Sequence, residues 1–260
     1  MLVLLPPSEG KTAPVSGDRL DLSVLSGRSL SAHRRRVLAA LIRVSRSSAA
    51  AQVLGTGPTL ASEVLRNTRL RSEPVAPAAE VYTGVLYGAA GLDDLPDDRA
   101  RERAERGVLT VSALWGVVGP SDLIPAYRLS MGTALPGVGP LASSWRAPLA
   151  KVLDPLAADR LVVDCRSASY AAAWRAPSTG PGRVNVSVVR EVEGRRTVVS
   201  HAAKHTRGLL TRHLLTRAAD EPQTPLELLG AAQELAGSCL EGAELTPGPG
   251  GQHVLTLLVA

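Results

Sequence analysis

The chain has 260 residues, 45% of them hydrophobic and 20% charged, with a formal net charge of +5. That length gives one large domain ample core, which must be Leu, Val and Ala because aromatics are only 3% and Phe is absent. No apolar run approaches the roughly 18 to 20 residues that span a bilayer. The start lacks the pattern of a leader, and Cys165 and Cys239 alone build neither a disulfide scaffold nor a zinc knuckle. A cytoplasmic protein with no membrane partner is the expectation.

Leu2–Leu5 reads as a buried strand, followed by a Pro/Ser/Gly loop to Gly17. Within the loop, Ser8-Glu9-Gly10-Lys11-Thr12 ends like a phosphate-binding P-loop, and residues 161–164 imitate a strand carrying a magnesium-binding Asp. The match fails on chemistry. Leu5 stands where the first glycine is needed, and Pro6 and Pro7 lack the N–H groups that cradle phosphate. Lys11 remains as an anion contact. It is one of three lysines, with Lys151 and Lys204, among 26 arginines, and a lysine kept in such company marks a place that needs a compact ammonium.

Over 33–54 the apolar residues Val37, Leu38, Leu41, Ile42 and Val44 recur at helical spacing. Gly55 and Gly57 stop that helix, and Pro58 suits the first turn of the next, which runs to about Asn67. Two glycines permit a tight turn, and the following helix offers free N–H groups and its positive dipole end to a phosphate. Over about 33–68 this pattern resembles the helix-hairpin-helix of proteins that bind DNA without sequence preference. Between residues 28 and 71 there are nine arginines and one acid, Glu63, a balance that suits a polyanion partner or, read more plainly, a solvated helical face. Arg43, Arg46, Arg66 and Arg69 would extend contact to phosphates beside those held at Gly55, Gly57 and Thr59.

Further along, a helix is predicted over 79–90, a surface turn over 93–98, and strands over 108–114 and 161–165. Segments 184–190 and 197–201 alternate around Gly194 like a hairpin, helices cover 203–219 and 225–235, and the Gly/Pro segment 242–251 leads to a closing strand over 254–259. Strands and helices intermingle without a repeat. That predicts α/β architecture in a single domain over 1–260, a mixed sheet flanked by helices with the hairpin inserted near the N-terminus.

On the helix after Ala203, Lys204, Arg207 and Thr211 share one face, with Leu210 and Leu214 on the other. Gly208 beside them permits close approach of a phosphate backbone or small anion. Arg128, after Tyr127, offers a bidentate fork to phosphate or pairs with Asp122. His201, His205 and His213 could hold a metal only if all were helical, and His201 is expected in the preceding strand, so neither metal nor cofactor is predicted. Cys165, Trp115, Trp145 and Trp174 read as core.

From Val111 to Gly132 the chain reads VSALWGVVGPSDLIPAYRLSMG. Together with PPSEGKT, Tyr82-Thr83-Gly84 and the block AKHTRGLLTR from Ala203 to Arg212, it resembles the YaaA peroxide-stress protein family, with the blocks in family order across nearly the whole chain. Gly119 stands where an Arg often precedes the proline, Ser167-Ala168-Ser169-Tyr170 lacks the acidic pair of a Ser-Asp-Glu-Tyr version, and His205 replaces a second lysine. The resemblance implies a single-domain fold with a helix-hairpin-helix and a positively charged cleft, to which Lys11, Tyr82, Arg128, Lys204, Arg207 and Arg212 are assigned. It further implies binding of double-stranded or structured DNA with little sequence preference, and a role in limiting free iron and oxidative DNA damage during peroxide stress. The alternative is an enzyme acting on a nucleic-acid or small anionic substrate in a basic cleft, although no nucleophile–base pair is recognisable in the sequence.

Overall fold

Four consecutive apolar residues, Leu2–Leu5, form β1, buried at every position at the centre of the molecule. The computed structural model describes residues 1–177, 180–192, 195–198 and 200–260. A long loop leads to α1 (Ser31–Ser45), α2 (Ala50–Leu54) and α3 (Ala61–Asn67). Next come β2 (Ala76–Pro77), α4 (Ala78–Val81), α5 (Val85–Ala90) and α6 (Asp98–Gly107), then β3 (Val108–Ser112) and β4 (Gly116–Val118). Short strands β5 (Leu123–Ile124), β6 (Ala134–Leu135) and β7 (Gly139–Pro140) precede α7 (Leu141–Ala157). The chain continues through β8 (Val162–Asp164), α8 (Ala168–Ala171), β9 (Arg183–Val192), β10 (Arg195–Val198) and α9 (Ser200–Thr216). It closes with α10 (Pro225–Gln233), β11 (Gly242–Pro247) and β12 (His253–Val259).

The main sheet runs β11-β12-β9-β8-β1-β3-β4, with β10 paired to β9. β1, β3, β8, β9 and β12 are joined by parallel ladders, and β4, β10 and β11 add antiparallel ones. A parallel strand covered on both faces needs apolar residues without alternation, which is why β1 and β8 are buried throughout. From β1 the chain crosses to β3 on one side and later returns to β8 on the other. Loops leaving β1 and β8 therefore part at this point, where open α/β sheets form a crevice.

One apolar cluster extends from Met1 to Val259 and includes Trp115, Trp145, Trp174 and Cys165. Burial pushes the Cys165 thiol up to about 12, so it stays a packed, protonated core group.

Several elements differ from their sequence-based bounds. The helix expected over 33–54 is two helices, because α1 stops at Ser45 and α2 resumes at Ala50. Serines there compete for helix carbonyls, as Ser47 Oγ donates to Val44 O at 2.8 Å. The helix over 79–90 is broken by extended Tyr82, whose backbone bridges to Lys11. The turn expected over 93–98 instead feeds α6, capped by Asp97 accepting from Ala100 N–H at 2.7 Å. β9 and β10 pair as an antiparallel hairpin, with Gly194 itself outside the described residues. The second strand ends at Val198 and α9 begins at Ser200, so the chain is already helical at His201.

Candidate functional site

The loop after β1 is tied down at both ends. Tyr87 donates its hydroxyl to Pro6 O at 2.9 Å, and Thr12 N–H donates to Val81 O at 3.0 Å. The Lys11 ammonium then turns back beneath its own loop, donating to Ser8 O at 2.6 Å and lying 4.4 Å from the Tyr127 ring centroid and 5.7 Å from that of Tyr82. Burial, and then the charge of Arg128, lower the Lys11 amine to about 7, against the opposing pull of Glu63 and Glu9.

The two tyrosines beneath Lys11 belong to a buried hydroxyl chain. Ser112 Oγ accepts from the amides of Leu114 and Trp115, at 3.2 and 3.0 Å, and lies 2.7 Å from the Tyr127 hydroxyl. Two amides fill both lone pairs of a serine oxygen, so its proton must point to Tyr127. The Tyr127 and Tyr82 hydroxyls share a hydrogen bond across 3.0 Å. Burial holds both phenols well above their ordinary titration range, which keeps this floor neutral.

Above this floor lies a cavity of about 320 Å³ at the junction of β1 and β8. Pro6 to Glu9 and Lys11 form one wall, Ser167, Ser169 and Tyr170 after β8 another, and Arg128 to Ser130 a third. Lys204 and Arg207 of α9 and Leu54 and Gly55 of the hairpin turn complete it. Four cations line the space, and Glu9 is the only carboxylate among the lining residues. The Ser-Ala-Ser-Tyr sequence, lacking acids, leaves this wall without negative charge.

Each cation is held differently. Asn67, at the end of α3, clamps the backbone of Arg128 by donating to its carbonyl at 2.8 Å and accepting from its N–H at 2.9 Å. The Arg128 guanidinium lies 3.7 Å from Glu63 and donates to Glu9 O at 3.3 Å, so the alternative pairing with Asp122 is not made. Asp122 instead accepts from the amides of Ser26 and Gly119. Arg207 donates twice to Val186 O, at 3.1 and 2.7 Å, and Lys204 is exposed at the rim. Ser8 is buried with no partner for its Oγ.

Three assigned cleft features sit elsewhere. Tyr82 is under the cavity floor, fully packed. Arg212 turns to the end of α5 and donates to the carbonyls of Ala90, Gly91 and Asp94, the work of a helix C-terminal cation. Gly208 faces α5, where an added Cβ would lie 2.3 Å from Leu86 O, so its close approach is to a neighbouring helix and not to a ligand.

In the hairpin, Gly55 adopts φ 62° at the end of α2, a left-handed conformation that suits glycine, while Gly57 is extended. Gly55, Gly57, Thr59 and Arg43 are exposed. Arg46 donates to Thr68 O at 3.2 Å, and Arg69 and Arg66 lie 2.9 and 4.0 Å from Glu73. Arg34, counted in the basic block, is a core residue whose guanidinium serves the carbonyls of Leu25, Ser26, Trp115 and Val117. His213 Nε2 is 2.9 Å from Glu234, His205 is exposed, and the His201 side chain lies outside the described residues. Among the described residues, no three His, Cys, Asp or Glu side chains converge as metal ligands.

Sequence reasoning missed the orphaned Ser8 hydroxyl, and it missed Asn67 and the Ser112–Tyr127 chain, which act through residues distant in sequence. It also missed a buried ion cluster beside the cavity. Burial pushes the Asp164 carboxyl up, but Arg166 and Arg183, at 2.8 and 3.0 Å, more than offset this and hold it below its ordinary value.

No helix among the described residues is long and apolar enough to cross a membrane. A UPF0246 protein of Streptomyces coelicolor is 45% identical over 238 residues, covering 90% of each chain. UPF0246 proteins of Corynebacterium efficiens and Corynebacterium glutamicum are 40% and 37% identical over 262 and 263 residues, the full length of both partners. The family model described as peroxide stress protein YaaA matches residues 1–231, which takes in the chain from β1 to α10's first turns, including α1 to α3 and every lining residue of the cavity. The chain belongs to the YaaA peroxide stress protein family.

Proposed function

We propose that this protein serves the peroxide stress response by holding DNA through its sugar–phosphate backbone, with little sequence preference, and so helps to limit free iron and oxidative DNA damage. One observation carries the reading: Gly55, in the turn of the arginine-rich segment, and Lys204 and Arg207, about 150 residues later, line a single cavity. A strand of phosphates entering there meets cations from both ends of the chain. The helix-hairpin-helix reading assigns Gly55, Gly57 and Thr59 to the backbone and Arg43, Arg46, Arg66 and Arg69 to flanking phosphates.

Salt dependence is the direct test. The logarithm of affinity for a duplex falls by about 0.9 per logarithmic unit of salt for each phosphate neutralised. Replacing Arg43, Arg46 and Arg66 together by Ala flattens that slope, and an unchanged slope removes the hairpin from the contact surface. A second reading, an enzyme for a small anionic substrate, is favoured by the enclosed position of Lys11 beside a cavity of about 320 Å³.

A further inference from the structure

Among the four cations of the cavity, half-buried Lys11 holds its head group against two phenol rings and pairs with no carboxylate among the described residues. Arg128 faces Glu63, Arg207 is spent on Val186 O, and Lys204 is solvated. Lys11 Nζ has the carbonyls of Ser8 and Glu9, at 2.6 and 3.5 Å, and the faces of two neutral phenol rings. Two carbonyls leave one of its three N–H directions open, and Ser8, which has no partner for its own buried hydroxyl, lines the same cavity. A lysine partly desolvated in this way can act as a nucleophile, because its free amine is reached at a lower pH than that of a solvated lysine. Arg128, Lys204 and Arg207 line the same cavity and give its walls positive charge suited to a phosphate. An amine in such a cavity fits an electrophile carried on a phosphate ester.

We infer that Lys11 Nζ forms an imine with the aldehyde of a phosphorylated sugar held by Arg128, Lys204 and Arg207. The inference rests on reading the cavity as a phosphate site. Two sources share this chemistry, the ring-opened abasic deoxyribose in DNA and a free sugar phosphate. The Nζ lone pair attacks the carbonyl carbon, the C–O π pair moves to oxygen, and a proton passes from nitrogen to that oxygen, giving a carbinolamine. Loss of water then leaves the C=N bond, so amine and aldehyde balance imine and water. Around Nζ stand Arg128, Glu63, Glu9 and the phenols of Tyr82 and Tyr127, and their sum with burial sets the amine at about 7. The reacting form is thus populated near neutrality, whereas a solvated lysine needs a pH above about 10.

Borohydride trapping tests this on the full-length protein. One arm offers a duplex with a single abasic site, the other 2-deoxyribose 5-phosphate, and the reduced adduct is mapped by peptide mass spectrometry. The expected result is an adduct on Lys11 whose yield climbs between about pH 6 and 8 and then levels. Lys11→Arg lowers the yield by about tenfold or more, while Lys151→Arg leaves it unchanged. The arm that traps identifies the source. No adduct in either arm, or one confined to Lys204, Lys151 or the N-terminal amine, overturns the inference. Site mapping on the natural chain decides the matter even if Lys11→Arg folds poorly. Binding of a duplex carrying a tetrahydrofuran abasic analogue is measured alongside. Binding without trapping sinks the imine and spares the DNA reading, and trapping of the sugar phosphate without duplex binding does the reverse.

Discussion

Arg34 is a fully buried cation and Lys11 a half-buried one, and the chain treats them in opposite ways. Arg34 reaches four backbone carbonyls, an arrangement its planar five-donor fork can satisfy. Lys11 has two carbonyls and two rings, too little to replace its hydration, and its amine falls from 10.5 to about 7. That shift has a signed consequence for stability. Between the folded value and the unfolded one, the unfolded chain binds the extra proton, so stability rises as pH climbs from about 7 to about 10.5 and the penalty is full below that window. Lys11→Met removes the titrating group without emptying the space. The variant should therefore melt at a higher temperature than the natural protein near pH 6, and the gap should close toward pH 10. Thermal melts across that range check it, and a gap independent of pH would mean the ammonium is solvated after all.

At the level of elements, the crossing of α5 and α9 fixes where Lys204 and Arg207 stand. Gly208 allows the contact, since a Cβ there would meet Leu86 O at 2.3 Å and the Ala89 Cβ at 2.7 Å. Gly208→Ala must push the helices apart, at a cost of about 1–3 kcal/mol for overpacking. The urea midpoint should drop with its slope unchanged, and, on the proposed DNA reading, duplex affinity should fall because Lys204 and Arg207 move with α9. From sequence alone, Gly208 read as an opening for ligand, because a glycine looks the same whether a phosphate or a helix approaches it. Arg212, assigned to the cleft, carries no local mark of the carbonyls it serves at the end of α5. Elements with strong periodicity were legible: β1, α10 and β12 stand close to their expected places, and α1, with Val37, Leu41 and Val44, begins near its expected start but ends at Ser45. α7 was not among the expected elements, although around its internal Pro148 and Pro155 the residues Leu141, Trp145, Leu149 and Leu153 form a buried stripe at four-residue spacing. β11 was hidden by Gly242 and Pro247, residues that an edge strand tolerates. Of the site, Lys11, Arg128, Lys204 and Arg207 were visible as rare or clustered cations, whereas Asn67 gains its meaning only from Arg128, 61 residues away.

Across the whole molecule, the segment from α1 to α3 is part of the core and no separate module. Val37, Leu41, Leu54 and Val64 share one apolar cluster with the strands β1, β3 and β8. The Asn67 clamp then ties the end of α3 to Arg128, so the position of the glycine turn relative to the cavity is set by the same packing that holds the sheet. α2 and α3 have 5 and 7 residues, well under the roughly 12 to 15 at which an isolated helix becomes marginal in water. Their structure is therefore supplied by tertiary contacts. A peptide spanning residues 28 to 72 should show little helix by circular dichroism and bind duplex DNA only as a loose polycation. In the intact chain, far-ultraviolet signals from helices and near-ultraviolet signals from Trp115 and Trp145 should lose structure in one shared transition. A peptide that folds alone and keeps the full salt slope of the whole protein would separate the hairpin from the cavity. The cations of α9 would then need a different ligand.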